Sequence, residues 1–282
     1  MMSTAYLNGE FLPLAETQVS VLDRGFLFGD GVYELIPVYD GRLFRLEQHV
    51  GRLESSLSAI RIDNPHSREE WGQLLAELVQ RNGGGDQKVY VQVTRGAAKK
   101  RRHEFPEGAV PTVFVMTRVV DGEPEPVPAK AVTREDHRWG RCDIKAITLL
   151  ANVLYRQEAF EAGCQETILT RDGFVTEGAV SNVFVVRDDY IVTPPKGRNI
   201  LPGITRDLVV ELATDSSLPC VEAAISEGEL REANEIWITA STIEVIPVVE
   251  LDGRVVGNGR PGPVWNKMRS LFQAYRKANG ET

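Results

Sequence analysis

The chain has 282 residues, 42% hydrophobic and 26% charged, an ordinary globular balance and enough length for two modest domains. A net charge of −8 opposes a general binder of nucleic acid or anionic membranes, and no run of about 18 apolar residues offers a membrane-spanning helix. Cys142, Cys164 and Cys220 are odd in number and widely spaced, and His49, His66, His103 and His137 are scattered, so neither a disulfide framework nor a metal site is expected. Met1 to Glu10 has no basic stretch leading into an apolar core; no secretory signal is expected, and the cytoplasm is the expected location.

Tyr6 to Leu12 reads as a hairpin turning at Asn8-Gly9. Val19 to Leu22 reads as a further short strand. Asp23-Arg-Gly-Phe-Leu-Phe-Gly-Asp-Gly-Val-Tyr-Glu34 is rich in glycine, which implies unusual backbone or close packing; it lacks the ending of a phosphate loop. Val32 to Tyr39 continues as a strand. Leu46, Val50, Leu53, Leu57 and Ile60 recur at helical spacing, which predicts an amphipathic helix over 46–61 with Arg52 off its apolar stripe. A second helix is predicted from Ser67 to Gln80, with Ser67 and Glu70 as a capping box. Strands are predicted at 89–94 and 110–117, separated by a polar loop carrying Lys99-Lys-Arg-Arg-His103. The proline-rich, acidic stretch Asp121 to Pro128 is the expected connector, between a small domain at 1–120 and a larger one at 129–282. In the second half, strands are predicted at 130–135, 166–170, 182–186, 190–193, 219–222, 235–239 and 244–249. Helices are predicted at 148–162, 203–214, 226–232 and 263–278.

Arg141-Cys-Asp-Ile-Lys145 reads as a strand-like segment ending in a lysine, ahead of an apolar helix-forming run that includes Leu149, Leu150, Val153, Leu154, Ala159 and Phe160. Taken alone, Lys145 is either a solvated lysine between two elements or an imine-forming amine. Pyridoxal phosphate needs such an amine, an anion against its ring nitrogen and a cradle for its phosphate. Glu177, in Thr176-Glu-Gly-Ala-Val-Ser-Asn-Val-Phe184, is a candidate for the anion or a turn glutamate before a strand. Leu201-Pro-Gly-Ile-Thr-Arg206 precedes a helix, whose free amides would suit a phosphate, and Gly203 permits close approach. Arg52 is either a bidentate phosphate ligand or part of a solvated helix face. Ala240-Ser-Thr242 offers further hydroxyls. The basic loop is either solvated, or uses Arg101 or Arg102 with His103 to grip a carboxylate.

Together these motifs resemble the fold-type IV pyridoxal-phosphate aminotransferases, and within them the D-amino-acid branch, over nearly the whole chain. The resemblance rests on Asp23 to Glu34, Glu47-Gln-His-Val-Gly-Arg-Leu53, Val93-Thr-Arg-Gly96, Arg141 to Lys145, Thr176-Glu-Gly178 with Ser181-Asn-Val183, Gly203-Ile-Thr-Arg-Asp207 and Thr242-Ile-Glu-Val-Ile-Pro247. It implies the two-domain D-amino-acid-aminotransferase-like fold, α/β and α+β, in a homodimer that shares its active sites. Lys145 would be the Schiff-base lysine and proton shuttle, and Glu177 the partner of the ring nitrogen. Arg52, the amides of Ile204 and Thr205, and Ser241 or Thr242 would hold the phosphate, with Leu201 against the ring. Tyr33, Arg101 and His103 would trap the substrate carboxylate, the last two reaching in from the partner subunit. The loop before the trap is longer and more basic than the family pattern, which leaves Arg101 or Arg102 as the gripping residue; the Arg-x-His spacing selects Arg101. Ala240 stands where relatives often carry a hydroxyl. The implied reaction moves an amino group between D-amino acids such as D-alanine or D-glutamate and 2-oxo acids. The rivals are a branched-chain L-amino-acid transaminase, an (R)-amine transaminase, an aminodeoxychorismate lyase and a non-catalytic cofactor-binding protein.

Overall fold

The computed structural model describes residues 3–120 and 126–278. The chain divides into two compact units, Met1–Gly122 with Ile144–Thr148, and Glu123–Asp143 with Leu149–Thr282. The expected connector at 121–128 falls largely on 121–125, outside the described residues.

In the first unit Asn8 and Gly9 both take positive φ, 49° and 103°, and join β1 (Thr4–Leu7) to β2 (Glu10–Pro13) as expected. Val19–Leu22 is not a strand: it follows a 3-10 turn at Leu14–Glu16, and Val19 and Val21 lie exposed outside the sheet. The glycine-rich segment opens with a helix the sequence had not suggested, α1 (Arg24–Phe28). Asp23 caps it by accepting from the Gly25 amide, and Gly29 ends it at φ 65°. The glycines lie close to the protein itself: a Cβ at Gly25 would stand 2.3 Å from Thr94 Cγ2, and one at Gly31 2.7 Å from the Val93 carbonyl. Next come β3 (Gly31–Tyr39), β4 (Arg42–Leu43), α2 (Leu46–Ala59), α3 (Arg68–Arg81), β5 (Gln87–Thr94) and β6 (Thr112–Val119). The strands form an antiparallel sheet in the order β2-β1-β6-β5-β3-β4. Val50, Leu53 and Leu57 of α2 and Trp71, Leu75 and Leu78 of α3 pack with Val89, Val91 and Val93 of β5, the alternate residues that period-2 pleating turns to one face. The capping box of Ser67 and Glu70 is present.

Residues 144–148 belong to this unit as an appendage of β3. Ala146 bridges Val32, the Lys145 carbonyl accepts from the Tyr33 amide (3.0 Å), and the Ile147 amide donates to Gly31 (3.1 Å). Arg141–Lys145 is therefore not a strand but turns and bends that lay Lys145 beside the first residues of β3.

The second unit contains β7 (Ala129–Glu135), α4 (Leu150–Glu161), β8 (Glu166–Arg171), β9 (Phe174–Gly178), β10 (Asn182–Arg187), β11 (Tyr190–Thr193), α5 (Ile204–Asp215), β12 (Cys220–Glu222), α6 (Glu227–Arg231), β13 (Glu235–Ala240), β14 (Glu244–Leu251), β15 (Arg254–Val255) and α7 (Pro263–Ala278). The sheet runs β12-β11-β10-β13-β14-β7-β8-β9, with β15 also on β14; the β12/β11, β14/β7 and β7/β8 pairs are parallel. The central strands β10 and β13 are buried on both faces, which explains their unbroken apolar runs. At the start of α7, after Pro263 in the position where a missing N–H costs nothing, Glu235 accepts from the amides of Val264 (3.0 Å) and Trp265 (2.8 Å) and from Trp237 Nε1 (3.0 Å). The apolar run of α4 forms the expected helix and is split between two sides. Tyr155 and Ala159 face inward, whereas Leu150, Val153, Leu154 and Phe160 are exposed.

Candidate active site

The first unit supplies an amine beside an aromatic ring. Lys145 is half-buried, and its Nζ lies 4.2 Å from the centroid of the Tyr33 ring. Tyr33 stacks obliquely on Tyr90 (5.8 Å), whose hydroxyl donates to Gln92 and is pushed up to about 12 by burial.

On α2, His49 and Arg52 sit one turn apart and both face Glu34 of β3. Arg52 Nε donates to Glu34 Oε1 (2.7 Å) and Arg52 Nη2 to Oε2 (2.9 Å). His49 Nδ1 stands 2.7 Å from Oε2; a carboxylate only accepts, so Nδ1 carries the proton. Burial alone would raise the Glu34 carboxyl, but Arg52 and His49 hold it well below the usual range. Burial outweighs Glu34 at His49 and keeps the imidazole below its ordinary value. Arg52 is thus no solvated face residue but a buried cation with a fixed plane.

The basic loop stands elsewhere on this unit. The Arg101 guanidinium lies 4.7 Å over the Phe28 ring, and the His103 ring lies 5.3 Å from the same ring, so Phe28 gathers these two candidates on the exposed loop. Arg102 is exposed, and its carbonyl is bonded by Arg24.

The second unit supplies a buried carboxylate among N–H donors. Glu177, at the inner end of β9, accepts on Oε1 from Arg138 Nη1 (2.5 Å) and on Oε2 from the Leu201 amide (3.0 Å) and Asn182 Nδ2 (3.2 Å). Arg138 is itself clamped by Asp136, Nε to Oδ1 and Nη2 to Oδ2, both at 2.9 Å. Thr176 donates to Asp136 Oδ2 (2.9 Å). Burial pushes the Glu177 carboxyl up to about 7 against the downward pull of Arg138 and the Leu201 amide. Burial likewise raises Cys142 to about 11, so this neighbouring thiol is no nucleophile at neutral pH.

Also in this unit, α5 begins at Gly203 with no side-chain cap, followed by the buried Ile204 and Thr205. A Cβ at Gly203 would fall 1.9 Å from Asn182 Oδ1; glycine is needed there so that Asn182 can donate to both Glu177 and the Leu201 carbonyl (2.9 Å). Ser241 and Thr242 form the turn between β13 and β14, and α5 packs against β13.

The family Amino-transferase class IV matches residues 31–251. The chain belongs to the class IV aminotransferases. It is 43% identical to a D-alanine aminotransferase of Bacillus licheniformis over 94% of both chains, and 38% identical to one of Staphylococcus haemolyticus over 97% of this chain and 98% of that one. Among solved structures it is similar to the branched-chain amino acid aminotransferase of Escherichia coli, with a TM-score of 0.90 and 26% identity over 97% of this chain and 94% of that one. It is also similar to the branched-chain aminotransferase of the thermophilic archaeon Thermoproteus uzoniensis, with a TM-score of 0.84 and 27% identity over 98% of this chain and 94% of that one. These likenesses bear out the fold read from the motifs.

As a class IV aminotransferase the chain uses pyridoxal phosphate, and its residues fit that group. A carboxylate has about four lone-pair sites; on Glu177 Oε1 takes Arg138, which leaves that oxygen a direction for a ring N–H. The uncapped start of α5 presents amides that suit a phosphate dianion. Sequence reasoning passed over Glu34, His49, Asp136 and Arg138. The i, i+3 spacing of His49 and Arg52 was a usable signal for one shared acceptor, and Asp136-His-Arg138 carried none, because its two charges meet Glu177 only through β9.

Proposed function

We propose that this enzyme moves amino groups between D-amino acids, D-alanine and D-glutamate among them, and 2-oxo acids. The observation that carries the reading is the 43% identity, along 94% of the chain, with the B. licheniformis D-alanine aminotransferase. The solved neighbours named as branched-chain aminotransferases stand at 26% and 27% identity and favour the L-specific reading less.

Lys145 would be the covalent attachment point, and once the substrate amine has displaced it, its free Nζ would accept the proton from the substrate α-carbon. Bound pyridoxal phosphate withdraws electrons from that carbon, most strongly while its ring nitrogen is protonated. Glu177, as an anion, would hold that nitrogen and favour its protonated form. Arg52, held in plane by Glu34, the amides of Ile204 and Thr205, and the hydroxyls of Ser241 and Thr242 would hold the phosphate, and Leu201 would pack against the ring. Tyr33 of one subunit, with Arg101 and His103 reaching in from a second copy, binds the substrate carboxylate. This placement decides which α-hydrogen faces Lys145.

The enzyme acts as a homodimer, for which the exposed apolar side chains Leu150, Val153, Leu154 and Phe160 of α4 are the support. Cytoplasmic location is supported by Cys142, Cys164 and Cys220 all being free thiols.

The test is the visible spectrum of the cofactor-loaded protein with D-alanine and, separately, with L-leucine. Bleaching by D-alanine with formation of pyruvate, and none by L-leucine, is expected. The reverse pattern would reassign the enzyme to the branched-chain L class.

A further inference from the structure

The loop between β5 and β6 leaves the sheet through a narrow neck. Gly96 takes φ 89°, and a Cβ there would stand 1.9 Å from the Val110 carbonyl. Beyond the neck, Lys99 to Glu104 are exposed and carry four successive cations, which repel one another and by themselves would let the chain wander.

One buried side chain gathers the backbone of this loop. Arg24 of α1 is 4% exposed. Its Nη1 donates to the carbonyls of Arg102 (2.6 Å) and Glu104 (3.3 Å), and its Nη2 to that of His103 (3.1 Å). The third edge of the guanidinium is fixed by Asp30, which accepts from Nε at 2.7 Å. Asp30 also holds Arg95, from Nε (2.8 Å) and Nη2 (3.0 Å). Arg95 in turn donates to the carbonyls of Ile60 and Arg61 just past α2 and lies 3.6 Å over the Phe105 ring. A rigid five-donor fork is suited to three carbonyls and a carboxylate at once; a lysine ammonium is not.

We propose that Arg24 is a positioning residue for substrate selection: by fixing the backbone of Arg102, His103 and Glu104 it sets where the Arg101 guanidinium and His103 imidazole stand when they meet the substrate carboxylate. The inference rests on the carboxylate-binding role given to Arg101 and His103 above. Arg24 touches neither substrate nor cofactor. Its effect belongs in carboxylate affinity and not in the rate of the bound complex. This role gives the Asp-Arg-Gly signature a function besides turning the chain: Asp23 caps α1 and accepts from the hydroxyls of Thr94 (3.0 Å) and Thr112 (2.7 Å) at the two strand ends, while Arg24 holds the loop between them.

The experiment compares the full-length holoenzyme with Arg24→Lys, Asp30→Asn and Arg101→Ala. It measures the D-alanine KM and kcat, the Ki of propionate as a carboxylate probe, and amide hydrogen exchange over 99–105. For Arg24→Lys, KM and Ki are expected to rise about tenfold, the scale of one charge-assisted hydrogen bond. With them kcat should stay within about twofold, the signature of lost uniform binding. Amides 102–104 should exchange faster. Asp30→Asn, which leaves the arginine in place, should move the same quantities in the same direction and serves if the lysine variant does not fold. Faster exchange with an unchanged propionate Ki would overturn the positioning role, as would a fall in kcat alone. If Arg101→Ala also leaves the Ki unchanged, the carboxylate-binding reading of the loop itself fails.

Discussion

Two buried glutamates separate stability from function. Glu34 and Glu177 are both almost wholly enclosed, yet their carboxyls shift in opposite directions. Glu34 meets two cationic or N–H-bearing side chains that face it squarely, and it is pulled below the ordinary value of 4.5. Its contribution is complete above that value and is lost as pH falls through the folded value. Glu34→Gln should therefore destabilise the protein at pH 7 by about 3 kcal/mol, because it leaves buried charge on Arg52 without its counter-ion. The deficit against the native chain should shrink as pH is lowered in urea unfolding series; a pH-independent deficit would mean packing, not charge, is at stake. Glu177 carries the reverse sign. Its carboxyl is raised from 4.5 to about 7, so ionising it in the folded state costs energy, a penalty that grows across that interval and is constant above it. A glutamine removes the ionisation but can accept on one side only, so it leaves either Arg138 or the Leu201 and Asn182 donors unmatched. The stability of cofactor-free Glu177→Gln relative to the native chain should therefore rise by up to about 3 kcal/mol between pH 4 and pH 8, while the cofactor-loaded variant loses most of its turnover. Even with Arg138 beside it, the Glu177 carboxyl stays raised, so the protonated ring nitrogen proposed as its further partner would favour the anion and offset that cost.

At the scale of single elements, local chemistry sets the ends of helices and strands. Ser67→Ala removes the cap of α3 and should cost about 1 kcal/mol, read in the same unfolding assay. At α5 the effect should fall on ligand binding. Gly203→Ala would drive a Cβ into Asn182, the residue that donates to both Glu177 and the Leu201 carbonyl. Cofactor retention through dialysis should then drop by about tenfold or more, the scale of a disturbed buried hydrogen bond. The elements that were legible in the sequence are those in which one strong period or cap dominates: α2 and α3 with their apolar spacing, the Asn8-Gly9 turn, and the doubly buried β10 and β13. Those that were not are held by distant partners. β9 reads as polar because Thr176 and Glu177 are satisfied by Asp136 and Arg138, some forty residues earlier in the chain. The approach to Lys145 reads as a strand because Ile144 and Ala146 are apolar, but only Ala146 is bridged to β3, and the rest bends. The same holds for the candidate site. Lys145, Glu177 and Arg52 stand out as motif residues, while Glu34, beside Arg52, and Arg138 with Asp136, beside Glu177, do not, since a buried ion pair leaves no periodicity.

At the scale of the whole molecule, the exposed side of α4 gives the strongest handle on assembly. Leu150, Val153 and Leu154 share one helix face with Phe160, and all four are more than half exposed, while the opposite face buries Tyr155 and Ala159. Gln157 and Glu161 are exposed beside them and bonded to each other, so the outer side is apolar only in part, and the proposed homodimer makes a second copy of the chain the partner to test there. Replacing Leu150 and Leu154 together with glutamate should leave each chain folded, since neither belongs to its core, but should shift the mass in solution from twice 31.3 kDa toward the single chain. Activity tests the connection between assembly and chemistry. If Arg101 and His103 act across the dimer, D-alanine turnover should fall in proportion to the fraction dissociated and return as protein concentration is raised. A fully active monomer would place the carboxylate-binding residues within one chain. A dimer untouched by both charges would mean that α4 is not where the two copies meet.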